Sequence, residues 1–336
     1  MLKLMGKSTF VLENTPSVTG YASIVGGKEG KGPLGSCFDV VEEDSHFGKE
    51  TWEQAESEMM SRTVKLAAEN SGMDIEDINC IFAGDLLNQC LSATYGLRSL
   101  KIPFLGIYGA CSTIAEGILL SSCFSECSGG SFMAATSSHF STAERQFRFP
   151  LSYGGQRTPT AQWTCTASGA AVLSPKGEPP YIRAVSAGKI ADLGVKDASN
   201  MGAVMAPAAA ATISTYIRDM NIDLNGIDVI VTGDLGVVGS ELLIDLLKKE
   251  NIDITDKHRD CGSMIFDIEK QDVHSGGSGC GCSASVLCGY FLPRVKTGEI
   301  KEMLFIATGA LLSPNAALQG ETIPAIAHLV HISYKV

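Results

Sequence analysis

The sequence predicts an α/β protein made of two similar halves, and three observations carry this prediction. The segment that ends in Gly84-Asp85-Leu86 recurs as Gly233-Asp234-Leu235, 149 residues later, and each copy closes an apolar strand. Apolar strands alternate with helix-length segments along the chain, which predicts mainly parallel sheets covered by helices on both faces. The 336 residues are 45% hydrophobic and include 36 glycines, a composition that excludes disorder and provides a large core.

The repeat sets the expected order of elements. Each copy begins with a long helix, predicted at residues 51–70 and 205–219, and continues with a strand, a Cys-Ser turn, a second helix and another strand. The Pro-rich stretch 174–180 separates the copies. We therefore expect an N-terminal half at 1–175 and a C-terminal half at 176–336 that form one integrated unit.

Charge and composition exclude several classes of function. The net charge is −11 and the basic residues do not cluster, so the sequence argues against nucleic-acid binding. No run reaches the roughly 20 apolar residues of a membrane span, and residues 1–16 lack the apolar core of a signal peptide. Eleven cysteines in a long chain with an ample core predict free thiols and synthesis in the cytoplasm. Any membrane association is expected to be peripheral.

The most informative motif is Gly109-Ala110-Cys111-Ser112-Thr113, at a predicted junction between a strand and a helix. Unpaired N–H groups and the positive end of the helix dipole meet at such a junction. This setting favours a thiolate at Cys111, the nucleophilic form of cysteine, and it equally suits a bound anion. Because ligands in α/β folds bind beyond the carboxyl ends of strands, Asp85, Asp234 and Cys282 are expected near this motif.

The chain resembles the thiolase-fold superfamily, which includes thiolases and β-ketoacyl-acyl-carrier-protein synthases. The cysteine at the strand-to-helix turn of the first half, the run Gln162–Leu173 and the glycine-rich segment 275–285 carry this resemblance. It implies an αβαβα arrangement of two similar halves, with mixed sheets and helices in layers. It also implies a homodimer that pairs through sheet edges of the first half.

Four further segments, at 84–89, 135–140, 144–150 and 307–314, resemble the stage V sporulation protein AD family. This resemblance covers essentially the whole chain and implies a protein of spore-forming Firmicutes. It implies peripheral association with the spore inner membrane, beside the membrane proteins of the stage V sporulation A operon. It also implies binding of dipicolinic acid (pyridine-2,6-dicarboxylate), as its calcium chelate, for uptake into the developing spore.

Two catalytic partners of the synthases are replaced in this chain. Asp234 stands where the synthases have a His, and Cys280 falls near the position of their Asn. A carboxylate cannot donate to an oxyanion, and a thiol does not replace an amide donor. We therefore predict a non-catalytic protein without a cofactor, in which Cys111 is a vestigial nucleophile.

Two alternatives stay open. The first is an acyltransferase or thiolase that acts on a CoA thioester with Cys111 as nucleophile, and in the thiolase case His274 and Cys280 or Cys282 would be the partners of that cysteine. The second is a structural scaffold of a spore membrane complex.

A flat dianion such as dipicolinate requires hydrogen-bond donors for each carboxylate and an apolar slot for its ring. The turn at Cys111 offers backbone N–H groups and two hydroxyls, and the glycine-rich turn 275–281 offers an opposing set of N–H groups. The sequence contains no Asp-x-Asp-x-Asp loop, so no metal site is predicted and calcium is expected only with the ligand. The predicted ligand-binding residues are Cys111, Ser112, Thr113, Asp85, His139, Asp234, His274, Gly279, Cys280 and Ser283.

Overall fold

The computed structural model describes residues 1–147 and 157–336, so Arg148, Phe149 and Pro150 of the segment 144–150 lie outside the described residues. The strands are β1 (Leu2–Met5), β2 (Thr9–Leu12), β3 (Ser17–Gly26), β4 (Val40–Glu42), β5 (Cys80–Asp85), β6 (Phe104–Gly106), β7 (Phe132–Ser138), β8 (Trp163–Thr164), β9 (Ala167–Ser174), β10 (Tyr181–Ser186), β11 (Val229–Thr232), β12 (His258–Asp260), β13 (Gly277–Ser278), β14 (Glu302–Ala310) and β15 (Ala325–Ser333). The helices are α1 (Gly27–Gly30), α2 (Trp52–Ser71), α3 (Leu91–Leu97), α4 (Thr113–Ser128), α5 (Phe140–Phe147), α6 (Met201–Met220), α7 (Gly236–Lys249), α8 (Cys261–Ile265), α9 (Cys280–Val286), α10 (Leu292–Lys296) and α11 (Pro314–Leu318).

The main sheet repeats one strand order in its two halves. Its path is β12-β11-β14-β15-β10-β3-β9-β7-β5-β6. Counted along the chain, each half follows the order third, second, fourth, fifth, first. The central strands β5 and β11 run parallel to both neighbours, whereas β9 and β15 run antiparallel to theirs. The halves meet where Tyr181 of β10 pairs with Ser17 of β3. The duplication agrees with the sequence repeat, and the mixed sheet agrees with the family resemblance. The mainly parallel sheets expected from the alternation of helices and strands are not found, because β9 and β15 join the halves of the sheet through antiparallel pairs.

Helices form three layers around the two halves of the sheet. Helices α2 and α3 pack on the outer face of the first half, and α6 with α7 packs on the outer face of the second half. Helices α4 and α9 lie between the halves, where Ile114 and Ala284 belong to one core cluster with strand residues from both. This αβαβα arrangement buries the apolar strands on both faces, and it places the N-termini of α4 and α9 close together.

The two long helices that the repeat predicts are confirmed, with small shifts at their ends. Helix α2 begins after Thr51, whose side chain accepts a hydrogen bond from the N–H of Gln54, and it ends at Gly72, which has φ 72°. Helix α6 begins four residues before the predicted start because Asn200 caps it by accepting a hydrogen bond from the N–H of Ala203.

The position of Cys282 differs from the prediction. It was expected at the end of a core strand but lies inside α9 and is fully buried. The preceding strand, β13, has only two residues and pairs with β8 in a separate small sheet. The chain then turns at Gly279, which has φ 105°, and the helix begins at Cys280.

Within the described ranges, no helix has the combination of length and apolar character that crossing a bilayer requires.

Candidate functional site

The turn that carries Cys111 is held by its own polar side chains. Residues Ala110–Ser112 form one 3-10 turn between β6 and α4. The Ser112 hydroxyl donates to the carbonyl of Gly109 at 2.7 Å, and the Thr113 hydroxyl donates to the carbonyl of Ala110 at 2.7 Å. These two hydroxyls are therefore used inside the turn, which corrects the prediction that they donate to a ligand.

Asp234 connects this turn to the second half of the protein. Its fully buried carboxylate accepts hydrogen bonds from the hydroxyls of Thr308 and Ser278, each at 3.0 Å, and from the N–H of Gly279 at 2.9 Å. The thiol of Cys111 lies beside the same carboxyl group. Burial raises the pKa of Asp234, and the neighbouring thiol and the three hydrogen bonds oppose that shift because they favour the ionised form. The sequence-based prediction that Asp234 lies beside Cys111 agrees with this geometry.

Cys111 is a neutral thiol in this arrangement. Burial raises its pKa well above the ordinary value for cysteine, and the negative charge of Asp234 and the neighbouring Cys280 thiol raise it further. The helix N-terminus was expected to favour a thiolate, but a dipole effect of about 0.3–1 kcal/mol does not offset burial beside a carboxylate. The thiol is therefore not in the nucleophilic form.

A cavity of about 90 Å³ lies over Cys111. One ordered water needs about 10–15 Å³ when the cavity volume is measured in the same way, so this cavity admits a small organic ligand. Cys111, Thr164, Ser278 and Glu144 are the polar side chains of its lining. Most of the wall is apolar or aromatic and includes Leu86, Tyr108, Ala143, Phe147, Met201 and Met205. No Lys, Arg or His from the described ranges lines the cavity.

The glycine-rich turn before α9 directs its N–H groups into the protein. The N–H of Gly279 donates to Asp234, and the N–H of Gly281 donates to the hydroxyl of Ser138 at 3.1 Å. These two N–H groups of the predicted set are thus occupied by protein acceptors. Gly279 is needed here for its φ of 105° and because a Cβ would lie 2.7 Å from the Ser138 hydroxyl oxygen.

Cys280 and Ser283 lie directly behind Cys111. The Ser283 hydroxyl is 3.3 Å from the carbonyl oxygen of Cys111 and donates to it. The Cys280 thiol donates to the carbonyl of Ser137 at 2.9 Å, and burial raises its pKa well above the usual value. Both side chains are fully buried, so they support the cavity and do not line it.

Asp85 occupies the position in the first half that Asp234 occupies in the second, but its contacts are local. Its carboxylate accepts hydrogen bonds from the N–H groups of Leu87 and Ala93, each at 2.8 Å. It thereby fixes the turn after β5 and the first turn of α3. Asp85 lies below the cavity wall at Leu86 and not in the lining, so the predicted ligand contact is replaced by a capping role.

The two predicted histidine donors lie away from the cavity. His139 is buried, its Nε2 is 2.9 Å from the carbonyl oxygen of Ser45, and its Nδ1 accepts the N–H of Ser141, so both nitrogens are used. Nδ1 of His274 is 2.8 Å from the carbonyl oxygen of Thr158, and Nε2 pairs with Asp272 at 3.2 Å. Neither ring is placed to hold a ligand over Cys111.

Several residues of the cavity carry no signal that sequence reasoning can use. Met201 and Met205 reach it from the first turns of α6, and Tyr108 and Thr164 reach it from short strands or their ends. By contrast, Cys111, Leu86 and Ser278 lie in motifs that are recognisable in the sequence: the Gly109–Thr113 turn, the Gly-Asp-Leu repeat and the glycine-rich segment.

The comparisons with known proteins agree with this fold. The family model described as Stage V sporulation protein AD matches residues 6–333. The Stage V sporulation protein AD of Bacillus subtilis (strain 168) is 44% identical over 331 residues, which cover 97% of each chain. Among solved structures, 3-oxoacyl-[acyl-carrier-protein] synthase III from Aquifex aeolicus has a TM-score of 0.55 at 11% identity, covering 95% of this chain and 100% of its own. A single-residue variant of OleA from Xanthomonas campestris has a TM-score of 0.61 at 12% identity, with 96% and 99% covered. The two structures share the thiolase-like fold with this chain.

The state of Cys111 leads to a prediction about its reactivity. At pH 8, iodoacetamide should alkylate Cys111 at least about tenfold more slowly than the exposed Cys127, because each unit of raised pKa removes about nine-tenths of the thiolate. Timed alkylation followed by digestion and mass spectrometry measures both rates in one sample. The unfolded protein is the control, in which the two cysteines should react alike. Equal rates in the folded protein would show that Cys111 is an accessible thiolate.

Proposed function

The chain belongs to the stage V sporulation protein AD family, and we propose that its cavity over Cys111 binds dipicolinate without catalysing a reaction on it. The proposed role is capture of this ligand for its uptake into the developing spore. We further propose that the protein acts at the spore inner membrane, together with the membrane proteins of the stage V sporulation A operon. Family membership is the support for this location and for these partners.

The observation that carries the proposal is the burial of the Cys111 thiol beside the carboxyl group of Asp234. Nucleophilic attack requires a thiolate and a base that accepts its proton. Here burial and the adjacent negative charge favour the neutral thiol, and the Asp234 carboxyl group already accepts three hydrogen bonds. The arrangement suits a pocket that holds a ligand better than one that attacks it.

The lining supports a flat aromatic ligand. Apolar side chains such as Phe147 and Met205 provide surfaces for a ring, and Thr164 contributes a hydroxyl group to the lining. The Ser278 hydroxyl donates its proton to Asp234, so it offers a ligand only its oxygen as an acceptor. Burial raises the pKa of Tyr108 above its usual range, so its phenol remains a donor. A small pyridine dicarboxylate can pack its ring on the apolar side chains and direct its carboxylates to the hydroxyl groups of Thr164 and Tyr108.

The charges around the cavity favour the calcium chelate over the free dianion. No cationic side chain among the described residues lines the cavity, and the carboxyl group of Asp234 lies behind Cys111. A free dianion would meet like charge, whereas the calcium chelate is neutral overall. We therefore propose the chelate as the bound form.

Titration calorimetry at pH 7 tests the ligand. We expect dipicolinate with equimolar calcium to bind at one site per chain, and dipicolinate with a calcium chelator present to bind at least about tenfold more weakly. Benzene-1,3-dicarboxylate with calcium is the matched control, since it keeps the shape and charge but lacks the ring nitrogen that completes the chelate. Absence of heat with both forms of dipicolinate would refute the proposed function.

Two substitutions test the location of the ligand. Ala143→Leu adds volume to the wall of the cavity and Cys111→Ala changes its shape, so each should weaken chelate binding, the former by about tenfold or more. Ala317→Leu, at an exposed position of α11, is the control and should bind like the wild type. Calorimetry on the three variants, with melting curves to confirm folding, gives the comparison. Unchanged affinity in Ala143→Leu would place the ligand elsewhere.

We also propose that the protein is a homodimer that pairs through the edge of the first half. Strand β6 ends the sheet path, and its Leu105 is 51% exposed. Leu105 lies opposite Phe82 in the strand register and so points to the side of the sheet where Phe124 contacts the Phe82 ring. Phe124 is itself 45% exposed. An open strand edge beside two exposed apolar side chains suits pairing with a second copy.

Sedimentation equilibrium tests this arrangement. We expect the wild type to sediment as a dimer and the double variant L105K/F124K to sediment as a monomer, because two charges would be buried at the contact. Leu242→Lys, at a half-exposed position of α7 in the other half, is the control and should leave the dimer intact. A dimeric double variant would exclude this edge as the contact.

An acyltransferase remains the second candidate because the fold is shared with condensing enzymes and Cys111 occupies the strand-to-helix turn. Incubation with acetyl-CoA followed by intact-mass measurement separates the two. An acetyl adduct that maps to Cys111 would support this candidate. Dipicolinate binding without such an adduct would favour the binding protein, and it would also count against a pure scaffold.

A further inference from the structure

One wall of the cavity over Cys111 is built from two pieces that are far apart in the sequence. Leu86 comes from the turn that follows β5, whereas Ala143 and Phe147 come from α5. Leu86 and Ala143 belong to one buried apolar cluster with Cys111, and Phe147 packs against that cluster. The shape of the cavity above the thiol therefore depends on how the turn and the helix are held together.

The side-chain amide of Gln146, in the last turn of α5, joins these two pieces. Its Oε1 accepts a hydrogen bond from the N–H of Asn88 at 3.0 Å, and its Nε2 donates to the carbonyl of Leu86 at 2.8 Å. The backbone N–H can only donate and the carbonyl can only accept, so the two partners together fix the orientation of the amide. Gln146 thus binds the turn on both sides of Leu87, directly at the cavity residue Leu86.

The turn that Gln146 binds has a backbone conformation that is unfavourable on its own. Gln89 has φ 58° and Cys90 has φ 50°, so two consecutive residues other than glycine lie in the left-handed region. Such a conformation persists only where the surrounding structure fixes it. The carboxylate of Asp85 accepts backbone N–H groups on either side of this pair, at positions 87 and 93. Those contacts stay within the turn and α3, and Gln146 adds the connection to α5.

Helix α5 has further anchors that do not involve this turn. At its start, the Phe140 ring stacks on Trp163 with centroids 4.0 Å apart. In its second half, Arg145 pairs with Glu53 and so connects the helix to α2. Loss of the two hydrogen bonds of Gln146 would therefore loosen the cavity wall without detaching the helix from the protein.

We propose that Gln146 is a positioning residue that sets the shape of the cavity, because its amide holds Leu86 and Phe147 in one continuous wall that does not yield to a change of volume. This proposal rests on the proposed function for the identity of the ligand. Gln146 does not belong to the cavity lining, so it acts through its neighbours. Its hydrogen bonds also connect the segments 84–89 and 144–150, two of the four that carry the resemblance to the sporulation protein family.

The substitution Gln146→Met tests this role, because it keeps the length of the side chain and removes both its donor and its acceptor. We expect it to weaken binding of calcium dipicolinate by about three- to tenfold, the range for two neutral hydrogen bonds at a partly exposed site. Gln54→Met, the same substitution at an exposed position of α2, is the matched control and should bind like the wild type. Calorimetry at pH 7 gives the affinities, and melting curves confirm folding. Wild-type affinity in Gln146→Met would overturn the proposal.

A double-mutant cycle with Ala143→Leu separates positioning from a general loss of stability. In the wild type and in Gln54→Met, Ala143→Leu should weaken binding by about tenfold, because the wall cannot move to accept the added volume. In Gln146→Met the two pieces of the wall can separate, so the same substitution should cost less than about threefold. Equal costs in the Gln54→Met and Gln146→Met backgrounds would show that Gln146 does not set the shape of the cavity.

Alkylation of Cys111 gives a readout that does not require the ligand. The wall held by Gln146 covers this thiol, so iodoacetamide should alkylate Cys111 at least about threefold faster in Gln146→Met than in Gln54→Met. The exposed Cys127 should react alike in both variants. If the wild type binds no dipicolinate, the proposed function fails, and the alkylation rates alone decide the role of Gln146. Equal rates at Cys111 in the two variants would overturn that role as well.

Discussion

The carboxylate of Asp234 is the interaction on which the arrangement around Cys111 depends. It lies in the interior, where an ionised carboxyl group without donors would cost several kcal/mol. Three donors from two separate elements meet its carboxyl group: Ser278 and Gly279 before α9, and Thr308 on β14. From the first half, Cys111 lies beside this carboxyl group, and the side-chain amide of Gln162 donates to the backbone carbonyl of Asp234 at 2.7 Å. Asp234 therefore connects the two halves at the base of the cavity.

Asp234 and Asp85 occupy equivalent positions in the duplicated sheet, but their hydrogen-bond partners differ. Asp85 and Asp234 follow equivalent strands, β5 and β11, in the same strand order. Asp85 caps backbone N–H groups of its own half, at Leu87 and Ala93. In the second half, Asp260 has this capping role. Its carboxylate accepts hydrogen bonds from the N–H groups of Leu235 and Gly236, the two residues after Asp234. Because that capping role is taken over, Asp234 is free to reach across the interface between the halves.

The sequence predicted the helices and strands that follow from periodicity and repetition. It did not predict the side-chain contacts that depend on residues far apart in the chain. The strand after Asp77, the helix after Cys111 and the two long helices follow from local patterns, and the duplicated sheet follows from the Gly-Asp-Leu repeat. His139 and His274 were predicted as ligand donors because each stands beside a polar turn. The structure instead satisfies them with carbonyl oxygens of Ser45 and Thr158, residues 94 and 116 positions away. No local pattern contains that information.

The charge beside Cys111 bears on the proposed binding function. The carboxyl group of Asp234 lies behind the cavity lining, next to Cys111. Two like unit charges about 6 Å apart repel by about 3 kcal/mol at an effective dielectric constant near 20, so an ionised carboxyl group at that distance would weaken a bound anion by roughly a hundredfold. Burial, and then the charge of Asp234, raise the pKa of Cys111, because a thiolate is an anion too. The conditions that oppose a nucleophilic cysteine thus oppose a free dianionic ligand as well, and this supports the proposed binding of a neutral, flat chelate.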